Sequence, residues 1–178
     1  LQCLDTSWIS SIGSFIDRFE KAFAQATRAP NALTVSNGTV ALHLAHHCLG
    51  IGPGDEVIVL EPAYDSYISN IQMNGATPVV VSLTTPTFEV DWNKVQAAIT
   101  NNTRAIIVNT PHNPTGTIWS KEDWDQLAEL VRNTNIVILS DEVYEQLIFD
   151  GWKHYSILQH PELKLRSFAL YSFGKVFH

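Results

Sequence analysis

Asn109-Thr-Pro-His-Asn-Pro-Thr-Gly116 is the stretch on which the interpretation of this chain depends. Before it, residues 104–108 form a short apolar run that is rich in β-branched side chains, a pattern typical of a buried strand. The quoted stretch is then a loop with prolines and a glycine, and Asn113 lies between the prolines. The sequence therefore predicts a strand that presents a polar side chain just beyond its carboxyl end.

Two more apolar runs lead to polar side chains in the same way. Residues 136–139 predict a buried strand, and Asp141 follows it almost at once. Residues 167–171 predict a third strand, which leads into Ser172 and Lys175. Open α/β sheets bind ligands at the carboxyl ends of their parallel strands. We therefore expect the amide, the carboxylate and the amine to meet at one edge of the sheet.

These three side chains suit an aromatic aldehyde cofactor that contains a pyridine ring. Asn113 can donate to a ring hydroxyl, Asp141 can pair with a protonated ring nitrogen, and Lys175 can form an imine. An amide, a carboxylate and a lysine in these roles form a site for pyridoxal 5'-phosphate (PLP). The sequence thus predicts a PLP site built from three strand ends.

The three motifs, in this order and at strand ends, resemble those of class I aminotransferases of fold type I. The likeness is to the methionine and kynurenine aminotransferase branch, on Asn109-Thr-Pro-His-Asn-Pro114, Ser140-Asp-Glu-Val-Tyr-Glu145 and Ser172-Phe-Gly-Lys175. The resemblance implies an α/β three-layer sandwich with a mainly parallel sheet, the large domain of the PLP-transferase fold. It also implies amino-acid and 2-oxo-acid substrates and a homodimer.

The same resemblance assigns roles to two tyrosines. Tyr64 matches the aromatic residue that stacks on the pyridine ring, and Tyr144 matches the tyrosine that hydrogen-bonds the ring oxygen. Lys175, Asp141 and Tyr144 are then the catalytic residues. Each tyrosine could instead be an ordinary half-buried side chain, and His112 could contact substrate or only shape its loop.

A candidate phosphate site precedes these motifs. Ser36-Asn-Gly-Thr39 lies at a predicted strand-to-helix junction, where backbone N–H groups and the helix dipole favour an anion. Gly38 and Thr39 are the predicted phosphate contacts, and Ser172 could add a hydroxyl donor. Taken alone, this stretch fits an ordinary capping turn equally well.

The rest of the chain alternates between helix and strand patterns, which predicts an α/β fold. The other predicted strands are residues 32–35, 56–60 and 77–83. The predicted helices are residues 11–27, 36–49, 65–74 and 91–99, and one that begins after Ser120 with Trp124, Leu127, Ala128 and Val131 inward. We expect the aromatic stripe of the first helix to face a core and Glu142 and Glu145 to lie on a solvated helix face.

Residues 1–60 resemble a different branch of the superfamily from residues 61–178. Asp5-Thr-Ser-Trp-Ile-Ser-Ser-Ile-Gly13, Val35-Ser-Asn-Gly-Thr-Val-Ala-Leu-His-Leu44 and Leu49-Gly-Ile-Gly-Pro-Gly-Asp-Glu-Val-Ile-Val59 are similar to nucleotide-sugar aminotransferases of the perosamine-synthase kind. We interpret the chain as a chimera joined near residue 60, with divergence within one family as the alternative. We expect a single PLP-binding large domain over residues 1–178, without the small domain and with impaired turnover.

Composition limits the classes of partner and location. The 178 residues carry a formal net charge of −7, which argues against nucleic acid or an anionic membrane as the main partner. No apolar run reaches spanning length, and the two cysteines are too few for a disulfide framework. His43 and His47 lie four apart on a predicted helix without a nearby carboxylate, so we predict no metal site. We expect a soluble, cytoplasmic protein.

The sequence leaves several functions open within this family. Amino-acid transamination comes first. A PLP-dependent carbon–sulfur β-lyase would use the same residues, and nucleotide-sugar transamination would follow residues 1–60. A non-catalytic PLP-binding or scaffold fragment is the alternative from another class.

Overall fold

The computed structural model describes residues 5 and 13–176, and the chain divides into two compact units, Leu1–Val35 and Ser36–His178. In the first unit, helix α1 spans Ser14–Thr27. The prediction placed this helix at residues 11–27; residues 11 and 12 lie outside the described part.

The first unit differs from its predicted structure at two points. Residues 32–35 form no strand; the N–H and hydroxyl of Thr34 instead donate to Glu20 Oε1, at 2.7 and 2.8 Å. A strand needs a neighbouring strand for its backbone groups, and this segment uses a side chain instead. Helix α1 also has no buried residue, and Phe15 and Phe19 are 41% and 38% exposed. The prediction that its aromatic stripe faces a core was therefore wrong.

A five-stranded parallel sheet forms the centre of the second unit, in the order β2-β1-β3-β4-β5. Its strands are β1 Glu56–Glu61, β2 Thr77–Ser82, β3 Thr103–Asn109, β4 Val137–Asp141 and β5 Ser167–Leu170. The inner strands β1, β3 and β4 have short apolar runs because helices cover both faces of the sheet.

Helices lie on both faces of this sheet. They are α2 Gly38–Cys48, α3 Ser66–Met73, α4 Trp92–Ala98 and α5 Lys121–Val131, and α6 Phe173–Val176 follows β5. Short 3₁₀ helices span Ile157–Gln159 and Leu163–Arg166.

Alternating strand side chains divide the interior into two cores. Val59 on β1 packs in one cluster with Leu42 of α2 and Ile71 of α3. Its neighbour Ile58 packs in the other cluster with Trp124 of α5. Successive strand residues point to opposite faces, so one strand supplies both cores. The three-layer α/β prediction is confirmed.

Side chains cap the N-termini of α2, α4 and α5. Asn37 accepts a hydrogen bond from Val40 N at 3.0 Å at the start of α2. Ser120 and Asp123 form a capping box at the start of α5. Asp65 precedes α3 as predicted, but its side chain makes no capping hydrogen bond.

The segment after β4 corrects a second prediction. Residues 142–149 form turns rather than a helix with a solvated face. Glu142 is fully buried, and Glu145 is half-buried with burial raising its pKa.

Among the described residues, no helix combines the length and the apolar character that a membrane span requires.

Candidate active site

The carboxyl ends of β3, β4 and β5 lie side by side at one edge of the sheet. In the parallel register, Asn109 pairs with Asp141, and Asp141 pairs with Leu170. The loop with Asn113 follows β3, and Lys175 follows β5 on α6. The three predicted strand ends therefore meet at one edge, as the parallel-sheet argument predicts.

Asp141 is a buried carboxylate that is held by neutral donors. Its Oδ2 accepts from Tyr67 Oη at 2.5 Å, and its Oδ1 accepts from Val143 N at 3.3 Å. Burial raises the pKa of Asp141, while the two hydrogen bonds and the charge of Lys175 act in the opposite direction. None of the described lysines, arginines or histidines forms an ion pair with it. A cationic ligand would therefore relieve the cost of this buried charge.

Tyr67 is a residue of this site that the sequence interpretation missed. It is 3% exposed, and burial, followed by the charge of Asp141, raises its pKa. It therefore stays protonated and donates to the carboxylate. Its ring meets that of Tyr64 edge to face, with centroids 5.7 Å apart. The available signal was its position three residues after Tyr64, in the first turn of α3, where Tyr67 N donates to Tyr64 O at 3.1 Å.

Asn109 is the second missed residue, and it joins two of the motifs. Its Nδ2 donates to the backbone oxygen of Asp141 at 2.8 Å, and its Oδ1 accepts from Asn113 N at 2.7 Å. Thr110 N also donates to the Asp141 oxygen, at 3.1 Å. The loop that carries Asn113 is thereby fixed to the end of β4.

His112 is bonded within this loop. Its Nδ1 lies 2.7 Å from Thr115 Oγ1, and its backbone oxygen accepts from Gly116 N at 2.7 Å. Burial lowers the pKa of His112, which favours the neutral ring. Of its two predicted roles, the contacts support the one in which it shapes the loop.

Lys175 and Tyr144 lie close together on the exposed side of Asp141. Lys175 Nζ is 5.9 Å from the centre of the Tyr144 ring, within the range of a cation–π contact. Lys175 is exposed and Tyr144 half-buried. The structure thus groups Tyr64, Tyr144 and Lys175 around the Tyr67–Asp141 pair.

The candidate phosphate residues lie at the start of α2 and just before α6. Asn37 accepts from Val40 N through its side chain and from Ala41 N through its backbone oxygen, at 3.0 and 3.1 Å. The N–H groups of Gly38 and Thr39 have no acceptor within α2, as at any helix start. A Cβ atom at Gly38 would meet nothing within 4 Å, so the space beside its Cα atom is open. Ser172, the third candidate, is half-buried just before α6.

Comparison with known proteins identifies the family of this chain. Residues 10–178 match the family model described as aminotransferase class I and II. The chain belongs to this family.

Relatives in the aminotransferase family come from both branches that the motifs indicated. Methionine aminotransferase of Escherichia coli is 39% identical over 160 residues, which cover 89% of this chain and 41% of the relative. GDP-perosamine synthase of Caulobacter vibrioides is 44% identical over 141 residues, 79% of this chain and 36% of the relative. A crystal structure of YbdL from Escherichia coli, identified as a methionine aminotransferase, has a TM-score of 0.75 and 40% identity, and covers 79% of this chain and 37% of that one.

Two facts about these alignments bear on function. The chain spans about two fifths of the length of the aminotransferases it matches. Each alignment covers more than three quarters of the chain, so the methionine and perosamine alignments share most of it.

Proposed function

We propose that this chain forms the PLP-binding part of an aminotransferase that moves an amino group between an amino acid and a 2-oxo acid. The observation that carries the proposal is Asp141, a buried carboxylate without a cationic partner among the described residues, in a family of aminotransferases. A protonated pyridine nitrogen would supply the missing positive charge. At about 4 Å and an effective dielectric of about 20, such a pair is worth about 4 kcal/mol.

The residues present fit PLP at both ends. Open space at Gly38 and the free amides of α2 suit its phosphate, with Thr39 and Ser172 as hydroxyl donors. Tyr64 is 40% exposed and its ring is available to stack on a ligand, while Asn113 and Tyr144 would bond the ring oxygen. When bound, PLP supplies an aldehyde that condenses with an amine and a ring that withdraws electrons.

Each of the candidate site residues would have a separate role in the reaction. Lys175 Nζ would hold the cofactor and then move the proton of the substrate α-carbon as general base and acid. Asp141 would keep the ring nitrogen protonated, and Tyr67 and Val143 N would orient its carboxylate. Lys175, Asp141 and Tyr144 are the proposed catalytic residues.

The test is the visible spectrum of the chain mixed with PLP, followed by borohydride reduction and mass spectrometry. We expect the pyridoxyl group on Lys175. Its distribution over Lys21, Lys94 and Lys153 would mean that PLP reacts only with surface amines. Single-turnover reaction with methionine, phenylalanine and glutamine then shows whether this chain converts PLP to pyridoxamine phosphate, and we expect slow conversion with little side-chain preference.

A second candidate function is transamination of a nucleotide sugar. It is favoured by the 44% identity to GDP-perosamine synthase. Amino-donor specificity and a 4-keto nucleotide sugar as acceptor would distinguish it from the first proposal. A carbon–sulfur β-lyase would release pyruvate from a cysteine conjugate, and a PLP-binding scaffold would bind the cofactor without turnover.

We also propose that residues 1–60 and 61–178 derive from different branches, joined near residue 60 within one PLP-binding domain. The motifs quoted above and the presence of relatives from both branches support this origin. Separate comparison of the two segments is the test, and equal identity of both segments to one relative would contradict it.

We propose a cytoplasmic homodimer. Phe149 and Trp152, which are 71% and 65% exposed, supply apolar surface for a second copy. Light scattering of the purified chain measures its mass, and a monomer at micromolar concentration would refute the dimer.

A further inference from the structure

A second carboxylate lies at the end of β4, next to Asp141. Glu142 has no exposed surface. Its Oε1 accepts from Ser140 Oγ and from Ile157 N, both at 2.9 Å. Its Oε2 accepts from His154 Nε2 at 2.8 Å and from Tyr171 Oη at 3.1 Å. An ionised carboxylate has about four acceptor positions, so these donors fill all of them.

This coordination fixes the direction of each neighbouring hydrogen bond. Because Glu142 only accepts, the Tyr171 hydroxyl must donate to it, and burial raises the pKa of Tyr171 so that the proton stays in place. Ser156 Oγ then donates to the Tyr171 oxygen at 3.0 Å, and accepts from Leu158 N at 3.2 Å. The four acceptor positions of Glu142 are filled, while His154 Nδ1 is buried without a hydrogen-bond partner among the described residues. A buried carboxylate with its acceptor positions filled favours one arrangement of its donors over the alternatives.

The network joins the ends of the two strands that carry the site. Glu142 N donates to Leu170 O at 2.9 Å, which extends the ladder between β4 and β5. Its side chain holds Tyr171, which directly precedes the turn that leads to Lys175. Asp141 points the other way, to Tyr67, because neighbouring residues of an extended chain alternate in direction.

We propose that Glu142 is a positioning residue that sets the place of the Lys175 amine relative to the Asp141 carboxylate. It acts through Tyr171 and the backbone at the ends of β4 and β5, and touches neither substrate nor cofactor. The roles of Asp141 and Lys175 themselves rest on the proposed function. Reacting groups must be held closely for efficient chemistry, so loosening this link should affect the lysine before it affects the fold.

Two variants weaken the connection from Glu142 through Tyr171 to the segment that carries Lys175, with little change of side-chain shape. Glu142→Gln puts an amide nitrogen, which cannot accept, among four donors. Tyr171→Phe keeps the ring and removes one of the bonds to Oε2. The control is Val131→Ala, because Val131 is fully buried at the end of α5 and has no bond to the network. It lowers stability through packing alone.

Two readouts separate positioning from stability. The first is the pH midpoint of the visible absorbance of the PLP-loaded chain. The second is the rate at which acetic anhydride labels Lys175 in the PLP-free chain, measured by mass spectrometry with exposed Lys164 as internal reference. By analogy with lost outer partners at metal sites, we expect about a tenfold effect for Glu142→Gln. The midpoint should shift by about one pH unit, since tenfold corresponds to one unit, and the rate of Lys175 labelling should change by about the same factor.

Tyr171→Phe should move both readouts in the same direction by less, and Val131→Ala should move neither. If both network variants lower the melting temperature but leave the labelling of Lys175 unchanged, Glu142 is a stabilising residue only and the proposal is overturned. If the unaltered chain does not bind PLP, the proposed function fails, and the labelling of Lys175 in the PLP-free chain still tests whether Glu142 positions this lysine. If Glu142→Gln does not fold, Tyr171→Phe decides it.

Discussion

Asp141 and Glu142 are adjacent buried carboxylates whose surroundings differ sharply. Glu142 has all its acceptor positions filled by donors from the chain itself. The carboxylate of Asp141 has one donor on each oxygen, and the positive charge of Lys175 acts to lower its pKa. A fully bonded carboxylate can stabilise the fold without help, whereas a partly bonded one gains from a ligand. The comparison distinguishes a carboxylate that supports the fold from a candidate ligand-binding carboxylate in the neighbouring residue.

Removal of Glu142 should have the largest effect on stability. Glu142→Ala leaves four donors without their acceptor, two of them on the fully buried residues Ser140 and Ile157. Loss of one partner of a buried ion pair or hydrogen-bond network costs about 3–5 kcal/mol. The free energy of unfolding in urea measures it. A loss below about 0.5 kcal/mol, the range of an ordinary surface substitution, would contradict the account of the network.

His46 tests how much stability is lost when a buried titratable side chain without hydrogen bonds becomes charged. Its side chain is fully buried, and neither ring nitrogen has a partner within the described residues. Burial, followed by the charge of His43, lowers the pKa of His46 to about 4 from 6.5. Because the folded value is the lower one, stability is full above about pH 6.5 and is lost as pH falls towards 4.

The matched variant is His46→Leu, which removes the titration and keeps an apolar side chain of similar size. Relative to this variant, the unaltered chain should lose about 2 kcal/mol between pH 7.5 and pH 5. Urea unfolding at several pH values measures the difference. Parallel pH curves for the two chains would mean that His46 is not neutral and buried in the folded state.

Tyr67→Phe should have an intermediate effect on the Asp141 side of the comparison. The change removes a hydrogen bond to a charged group, which is worth about 1.5–3 kcal/mol. Since that bond lowers the pKa of Asp141, its loss should raise this pKa further and make the destabilisation smaller in acid. Unfolding at pH 7.5 and pH 4.5 checks both statements. An equal loss of unfolding free energy at both pH values would mean that the contribution of Tyr67 does not depend on the ionisation of Asp141.

Asp141→Asn should have the smallest effect on the fold and the opposite sign to Glu142→Ala. The raised pKa of Asp141 means that its charge opposes folding at neutral pH, so a neutral amide should keep or slightly increase the free energy of unfolding. PLP binding should weaken at the same time, measured by absorbance titration. Destabilisation together with unchanged PLP binding would reverse the assignment of the two carboxylates.

The sequence predicted the parts of the site that follow strand ends. Apolar runs before Asn113, Asp141 and Lys175 gave the strands, and a parallel sheet must bring their carboxyl ends to one edge. The inward residues of α5, such as Trp124 and Leu127, followed from helical periodicity and are buried as predicted. The roles of the individual site residues remain predictions.

Other features could not be predicted in this way, because they depend on contacts across the chain. The four donors of Glu142 come from three segments, residues 140, 154–157 and 171, and no local pattern shows that they converge. Glu142 was therefore assigned to a solvated face. The predicted strand at residues 32–35 failed for the opposite reason, since its local propensity met no neighbouring strand.

The sequence by itself determined the α/β class, the order of strands and helices, and the motifs that indicate an aminotransferase, because these depend on residue type and short-range periodicity. Only the tertiary structure decided which polar groups are satisfied. In the folded chain the Tyr67 hydroxyl donates to Asp141, and Asn109 connects the Asn113 loop to the end of β4. Donors from separate segments surround Glu142. Hydrogen bonding and burial depend on the positions of atoms from distant segments, so they are properties of the folded chain.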